Sequence, residues 1–383
     1  MSLLSAERAI APLVEDFAAR HFDEDAIKHW VLSRGIPRYV YEDFYEGELG
    51  GFLMPAEAGG NECSFLERAS LIAQITRRAA ATLPFLSDML TYALISTMRS
   101  LSRHELVDYM KANSGRILLS EAFTEDNAGS DANAVATAVT IDGDHLYLDG
   151  CKTFVSNGQF APSMLVLARD SVLGMEDGGI SLWVVPVDAE GVSTFPINSV
   201  GQEMLAPARI SFRHVLLDPE WRIQTEGRLN IMLKRQYELG RILICASSLG
   251  LARAAMDDAL AYSSSHMTKG RCLASLPQIQ TKLTEMEVRL RSMDLLVESA
   301  AALVDGGESD EFHLNCALMK YFVPKAATEV ASEALQIFGN RGYTDQTRVG
   351  RIWKDCRGNQ IAQGADEVMV HAATRFLVKG AEA

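Results

Sequence analysis

The chain has 383 residues, of which 48% are apolar and 22% charged, and its formal net charge is −14 at pH 7. That is the composition of a globular protein with one large or two to three ordinary domains and enough surface to bury a real core. The negative balance argues against nucleic acid or an anionic membrane as partner, since both need a cationic face, and no uninterrupted apolar run approaches the ~20 residues of a membrane helix.

The opening stretch MSLLSAERAIAPLVEDF has acidic residues early and no basic run ahead of an apolar one. It predicts an amphipathic helix and no signal peptide. Residues 1–115 read as a helical N-terminal domain, with apolar residues at helical spacing in Phe65–Ile75 after a turn-rich Pro55–Gly60. Over 116–225 the period changes. Thr137–Ile141 and His145–Leu148 flank Gly143-Asp144 as a hairpin would, and strands are expected at Met164–Ala168, Ile180–Val185 and Ile210–Val215. Strands at such short spacing predict a small antiparallel barrel or sandwich.

Residues 226–383 return to helix. Ile279, Leu283, Met286, Leu290, Met293, Val297, Ala300 and Val304 form an unbroken apolar seam that stops at Asp305-Gly306-Gly307, the pattern of a bundle helix or a subunit interface. Pro324 predicts a kink or a new helix. Cys63, Cys151, Cys245, Cys272, Cys316 and Cys356 form no close pair, which speaks for unpaired thiols and a cytoplasmic location. His21, His29, His104, His145, His214, His313 and His371 show no metal-ligand spacing, so they read as structural and no metal site is expected.

Phe123–Asp131, FTEDNAGSD, is too polar and too rich in turn residues for core. Thr124 and Ser130 supply hydroxyls, and Gly129 lets backbone approach a flat ligand. Taken alone it is a polar hairpin loop. A second stretch, Gly150–Gly158 (GCKTFVSNG), changes the balance. Together they resemble the acyl-CoA dehydrogenase family of flavoproteins, which carries T-E-x-x-A-G-S-D followed by N-G-x-K-x-[WF]-[IV]-[TS]-N. Thr124, Glu125, Ala128, Gly129, Ser130, Asp131, Gly150, Lys152, Phe154, Val155, Ser156 and Asn157 match. Leu49–Pro55 with Gly59-Gly60, Leu249–Arg253, Gln336–Gly339 and Arg351 with Asp355 look like further motifs of that family, in its order.

The resemblance implies a mainly α fold: a helical N-domain, an antiparallel β-barrel or sandwich, and a C-terminal four-helix bundle. It implies FAD between the β-domain and the bundle, an acyl-CoA thioester as substrate, electron transfer flavoprotein as redox partner, and a homotetramer or dimer. By the same resemblance Phe123, Thr124, Gly129 and Ser130 line the flavin's pyrimidine side and ribityl-pyrophosphate. Phe154 lies against the isoalloxazine, Ser156 bonds near N5, and Lys269, Gln336 and Gly339 serve from a neighbouring subunit.

The family's reaction takes a proton from the carbon α to a thioester while a hydride passes from the β carbon to the flavin, so it needs a carboxylate base and donors on the thioester oxygen. Here Gln363 stands at the family's usual glutamate position and Gly240 at its alternative one, just before Arg241, an arginine that the family places near the thioester. Neither residue can accept the proton, and losing a general base costs ~10²–10⁴ in rate. Glu367 follows Gln363 by one helical turn and is a candidate replacement; Glu238 is expected to turn about 200° away from the Gly240 face. His266 stands where the family has an arginine on the pyrophosphate, and Lys269 replaces an aromatic, so weaker FAD retention is expected.

Gly364–Val368 is similar to the crotonobetainyl-CoA reductase branch, in which the reaction reduces an enoyl thioester. Two further readings stay open. One is a non-catalytic subunit in a hetero-oligomer with a related, competent chain; the other is a flavin monooxygenase on the same fold.

Overall fold

The computed structural model describes residues 2–54, 56, 59–89, 108, 119–131, 134–170, 172, 179–223, 225 and 227–381. The readings of Pro55, of His104 and of helix within 90–107 and 109–118 lie outside them. The chain opens with α1 (Leu3–His21), α2 (Glu24–Ser33), α3 (Arg38–Glu46) and α4 (Phe65–Ala79). Two of these begin on capping boxes: Ser2 with Ser5 for α1, and Ser64 with Glu67 for α4. Leu3, Ala6, Ile10, Val14 and Phe17 recur at three and four residues along α1 and are all buried, so the opening stretch is the amphipathic helix its pattern predicts.

Among the described residues seven strands follow: β1 (Ser120–Ala122), β2 (Ala138–Asp142), β3 (His145–Val155), β4 (Ser163–Asp170), β5 (Ile180–Pro186), β6 (Val192–Pro196) and β7 (Ala208–Leu217). The hairpin turns at Gly143-Asp144, pairing Asp142 with His145. The expected antiparallel sheet is in fact mixed, in the order β1-β4-β2-β3-β7-β6 with β5 also on β4. Both β1 and β2 run parallel to β4, β1 beside Met164–Val166 and β2 beside Arg169–Asp170. They therefore lie end to end along one edge of β4, and FTEDNAGSD is the excursion between them. Alternation gives the sheet two apolar faces. Leu165, Leu167 and Leu182 pack with Leu229, Met232 and Leu233, while Met164, Val166, Ala168 and Trp183 fill the other side.

Five helices complete the chain: α5 (Leu229–Ser265), α6 (Pro277–Ala302), α7 (Asp310–Phe338), α8 (Val349–Ile361) and α9 (Asp366–Ala381). The predicted seam holds, with Ile279, Met286, Leu290, Met293, Val297 and Ala300 buried along α6. Pro324 neither ends α7 nor begins a new helix; α7 continues through it, packed against α5, α6, α8 and α9, and that packing outweighs the missing amide bond. α5 is long and apolar enough to cross a membrane by composition, yet 89% of its most apolar window is buried in the fold. It crosses α4 so closely that a Cβ on Gly250 would stand 2.2 Å from the Ala73 carbonyl oxygen, so only glycine fits there.

Candidate active site

The two motifs are one structure. Lys152, fully buried on β3, reaches back to FTEDNAGSD and places Nζ 2.7 Å from Glu125 Oε1 and 3.2 Å from the Phe123 carbonyl. Glu125 also accepts the amides of Ala136, at 2.7 Å, and Thr137, at 3.0 Å, and the Thr153 amide donates to the Thr124 carbonyl at 2.9 Å. Burial pushes the Glu125 carboxyl up, but the hydrogen bonds from Lys152, Ala136 and Thr137 outweigh it and hold the group below the usual range. Phe123 is buried beneath the loop and Thr124 partly so, while Gly129 and Ser130 are exposed. A Cβ on Gly129 would meet nothing within 4 Å. On β3 an irregularity between Lys152 and Val155 gives Phe154 a φ of +54° and leaves its ring 65% exposed beside a partly buried Ser156.

Ser130 and Asp131 share a cleft of about 710 Å³ with three helices. α5 contributes Lys234, Tyr237, Glu238 and Arg241, whose spacing of three and four sets them on one face. α7 contributes Asp310 and His313, and α9 contributes His371 and Arg375. Arg241 links the cleft to Gln363, at the usual base position, since its Nε donates to the Gln363 carbonyl at 3.3 Å. Buried Lys320 holds the same turn, with Nζ 3.0 Å from the Gly364 carbonyl and 3.2 Å from that of Gln360. Burial lowers the Lys320 ammonium from its ordinary value. Gln363 takes a φ of +55°, and its side-chain Oε1 is buried without a partner.

Glu238 turns away from Gly240 as expected, but the cleft lies on its side: it is buried in the wall, within the row 234–237–238–241, and Gly240 is off the lining. His313 faces the same cleft. Its Nδ1 lies 2.6 Å from Glu238 Oε1 and its Nε2 lies 3.0 Å from Lys234 Nζ, while Glu238 Oε2 is buried and unpaired. Glu367 is exposed in the first turn of α9.

Lys269, Gln336 and Gly339 stand elsewhere. Lys269 turns the hairpin of β8 (Met267–Thr268) and β9 (Arg271–Cys272), and Gln336 and Gly339 are exposed at the end of α7. Tyr262 gathers this corner, its ring 4.2 Å from Phe338 and 4.8 Å from His266. At 1.5 Å per residue, Tyr262 lies about 30 Å along α5 from Arg241. A single chain therefore does not bring the two sets around one ligand.

One carboxyl escaped the sequence reading. Glu121 on β1 receives Gln236 Nε2 of α5 on both oxygens, each at 2.9 Å, and burial pushes it up to about 8 against those bonds. The available signal was its place two residues before Phe123.

Residues 120–215 match the acyl-CoA dehydrogenase middle domain and residues 229–378 the C-terminal domain of the same family. A probable acyl-CoA dehydrogenase of Escherichia coli, YdiO, is 27% identical over 99% of this chain and 98% of its own length. An acyl-CoA dehydrogenase structure from Slackia heliotrinireducens is 35% identical, with a TM-score of 0.87 over 98% of this chain and 97% of that one. A glutaryl-CoA dehydrogenase from Mycobacterium smegmatis, in complex with FADH2, shares the fold at 20% identity, with a TM-score of 0.85 over 97% and 94% of the two chains. With its sheet and its bundle both matched, and 98% of its length superposed on that 35%-identical structure, the chain belongs to the acyl-CoA dehydrogenase family.

Proposed function

We propose that the protein is an FAD-dependent oxidoreductase acting at the Cα–Cβ bond of an acyl-CoA thioester without the family's usual catalytic glutamate. The observation that carries this is the link from Ser130 through the cleft to Arg241 and on to the Gln363 carbonyl, which joins the loop motif to the base position. The residues fit a flavin. Open space over Gly129, an outward Phe154 ring and the adjacent Ser156 hydroxyl suit a flat, largely apolar ring that needs an aromatic wall and a short donor. Phe123, Thr124, Gly129, Ser130, Phe154 and Ser156 would hold it from one chain, and Lys269, Gln336 and Gly339 from a second copy. The flavin, when bound, supplies a two-electron acceptor or donor. Arg241 and Lys320 fix the Gln363 turn beside the thioester, and the Gln363 amide fills the glutamate's space without its basicity.

Electron transfer flavoprotein as redox partner, a homotetramer or dimer, and a cytoplasmic location belong to this reading; six unpaired cysteines support the last. Gly364–Val368 supports the reductive, crotonobetainyl-CoA reductase-like direction. The second reading is a non-catalytic subunit paired with a competent relative, favoured by Gln363 and Gly240 at both base positions. Anaerobic titration of the flavin-loaded protein with a panel of acyl-CoAs tests the proposal. Bleaching of the yellow colour is expected. A flavin unchanged by every thioester, in a protein that binds none of them, overturns it, and co-purification with a related chain marks the second reading.

A further inference from the structure

The geometry points to Glu121 as the proton-transfer carboxyl of this site, in place of the two carboxylates that Gln363 and Gly240 leave out; this rests on the acyl-thioester reading above. Leu119 and Phe123 pack on the sheet face that meets Leu229, Met232 and Leu233 of α5, whereas Ala122 packs on the opposite face. Strand alternation puts Glu121 on the α5 side with Phe123. Its partner there is Gln236, fully buried behind the cleft wall; the next residue, Tyr237, lines the cleft and lies close enough to both the Glu121 carboxyl and the Arg241 guanidinium for each to act on its phenol.

That partner suits a group that changes its protonation state. The Gln236 amide donates to the ionised carboxylate through Nε2, and its Oε1, buried and unpaired, can accept from the acid once the amide turns over. Among the described residues no cation is salt-bridged to Glu121, so a carboxylate there is not tied down as Glu125 is by Lys152. Of the other acids of the region, Glu238 is held through Oε1 by the His313 ring with only Oε2 unpaired, and Asp131, Asp310 and Glu367 are exposed. The elevated value of Glu121, about 8, agrees with proton exchange near neutrality.

In the step assigned to it, the Cα–H bond of the thioester breaks and an O–H bond forms on Glu121. The electron pair stays on the thioester as its enolate, and return of the proton reverses the step. No oxidant is needed, so the step can be read apart from turnover. The probe is an acyl-CoA with sulfur at the β position, whose α hydrogens are acidified and which has no β hydrogen to give up.

Flavin-loaded wild type in D2O is expected to exchange the α hydrogens of this probe, followed by NMR. Glu121→Gln is expected to bind the probe and to exchange it ~10²–10⁴-fold more slowly, with Glu121→Asp recovering part of the rate. A Glu121→Gln rate within about threefold of wild type overturns the assignment, because removal of a general base costs far more. Wild type that binds the probe without exchanging it also overturns it and leaves the thioester reading standing; failure to bind any acyl-CoA removes that reading instead. Should Glu121→Gln not fold, Glu121→Asp decides, with slowed exchange in support and an unchanged rate against. In the flavin-free protein at neutral pH, a protonated-carboxyl infrared band present in wild type and missing from Glu121→Gln supports the uncompensated setting; identical spectra overturn it.

Discussion

Glu121 and Glu125 stand four residues apart at the same edge of the sheet, and the fold treats them in opposite ways. Glu125 is 8% exposed and accepts a buried ammonium and two backbone amides. Among the described residues, Glu121 is given one neutral amide. Burying a carboxylate is costly unless it is paired and hydrogen-bonded, so the chain meets that requirement at one position and leaves it open at the other. The difference separates an anchor, which shapes the FTEDNAGSD loop, from a group left free to exchange a proton. Carboxyls of the second kind reduce stability and are kept where chemistry needs them.

Removing the anchor's cation is the severest way to break this comparison. Lys152→Met leaves Glu125 buried without its counter-charge and is expected to destabilise the fold by ~3–5 kcal/mol, measured as a lower urea midpoint at unchanged slope. Adding Glu125→Gln should recover part of the loss, because the stranded charge is gone. If Lys152→Met alone unfolds at the wild-type midpoint, Glu125 is no anchor and the contrast with Glu121 disappears.

Glu121→Gln tests the other side, through pH. The folded value of about 8 lies above the unfolded 4.5, so the native state holds this proton more tightly. The stability it contributes is complete below 4.5 and is lost as pH rises through 8. Each unit of difference is worth ~1.4 kcal/mol, which makes the total a few kcal/mol. The variant carries no charge to bury, so it should melt above wild type at pH 9 and lose that advantage at pH 4. An advantage equal at both pH values would show that the wild-type side chain does not titrate in this way.

The contrast also marks what could be read from sequence. The anchor lies within two turn-rich motifs, where glycine, hydroxyls and a lysine at fixed offsets constrain local geometry, so both stretches stood out. Arg241 and Gln363 were found through resemblance, although one lies on α5 and the other in the turn between α8 and α9, and they meet only by packing. Glu238 was misjudged because its rotation was measured from Gly240, whereas the cleft face is set by how α5 meets α7 and α9. Glu121 sits in a strand of three residues, too short to show alternation, and its partner lies on α5. β6 was missed because its exposed edge carries no apolar period, and the parallel pairings of β4 depend on a loop that returns the chain to the same edge.

The smallest effect is expected one residue beyond the anchor. Asp126 receives Arg209 Nη2 on both oxygens, at 2.8 and 2.7 Å, one nitrogen shared between two acceptors. Those side chains are 57% and 42% exposed, so water and salt screen the pair in the unfolded and folded chain alike. Arg209→Ala is therefore expected to leave the denaturation midpoint within experimental error at 0.15 M salt, read by the same urea titration as Lys152→Met. A loss approaching that of Lys152→Met would mean that the loop is held by its rim and not by the ammonium beneath it. Agreement with expectation ties the anchor to desolvation, since Glu125 and Asp126 are neighbours in sequence, both pair with a cation, and differ in whether water reaches them.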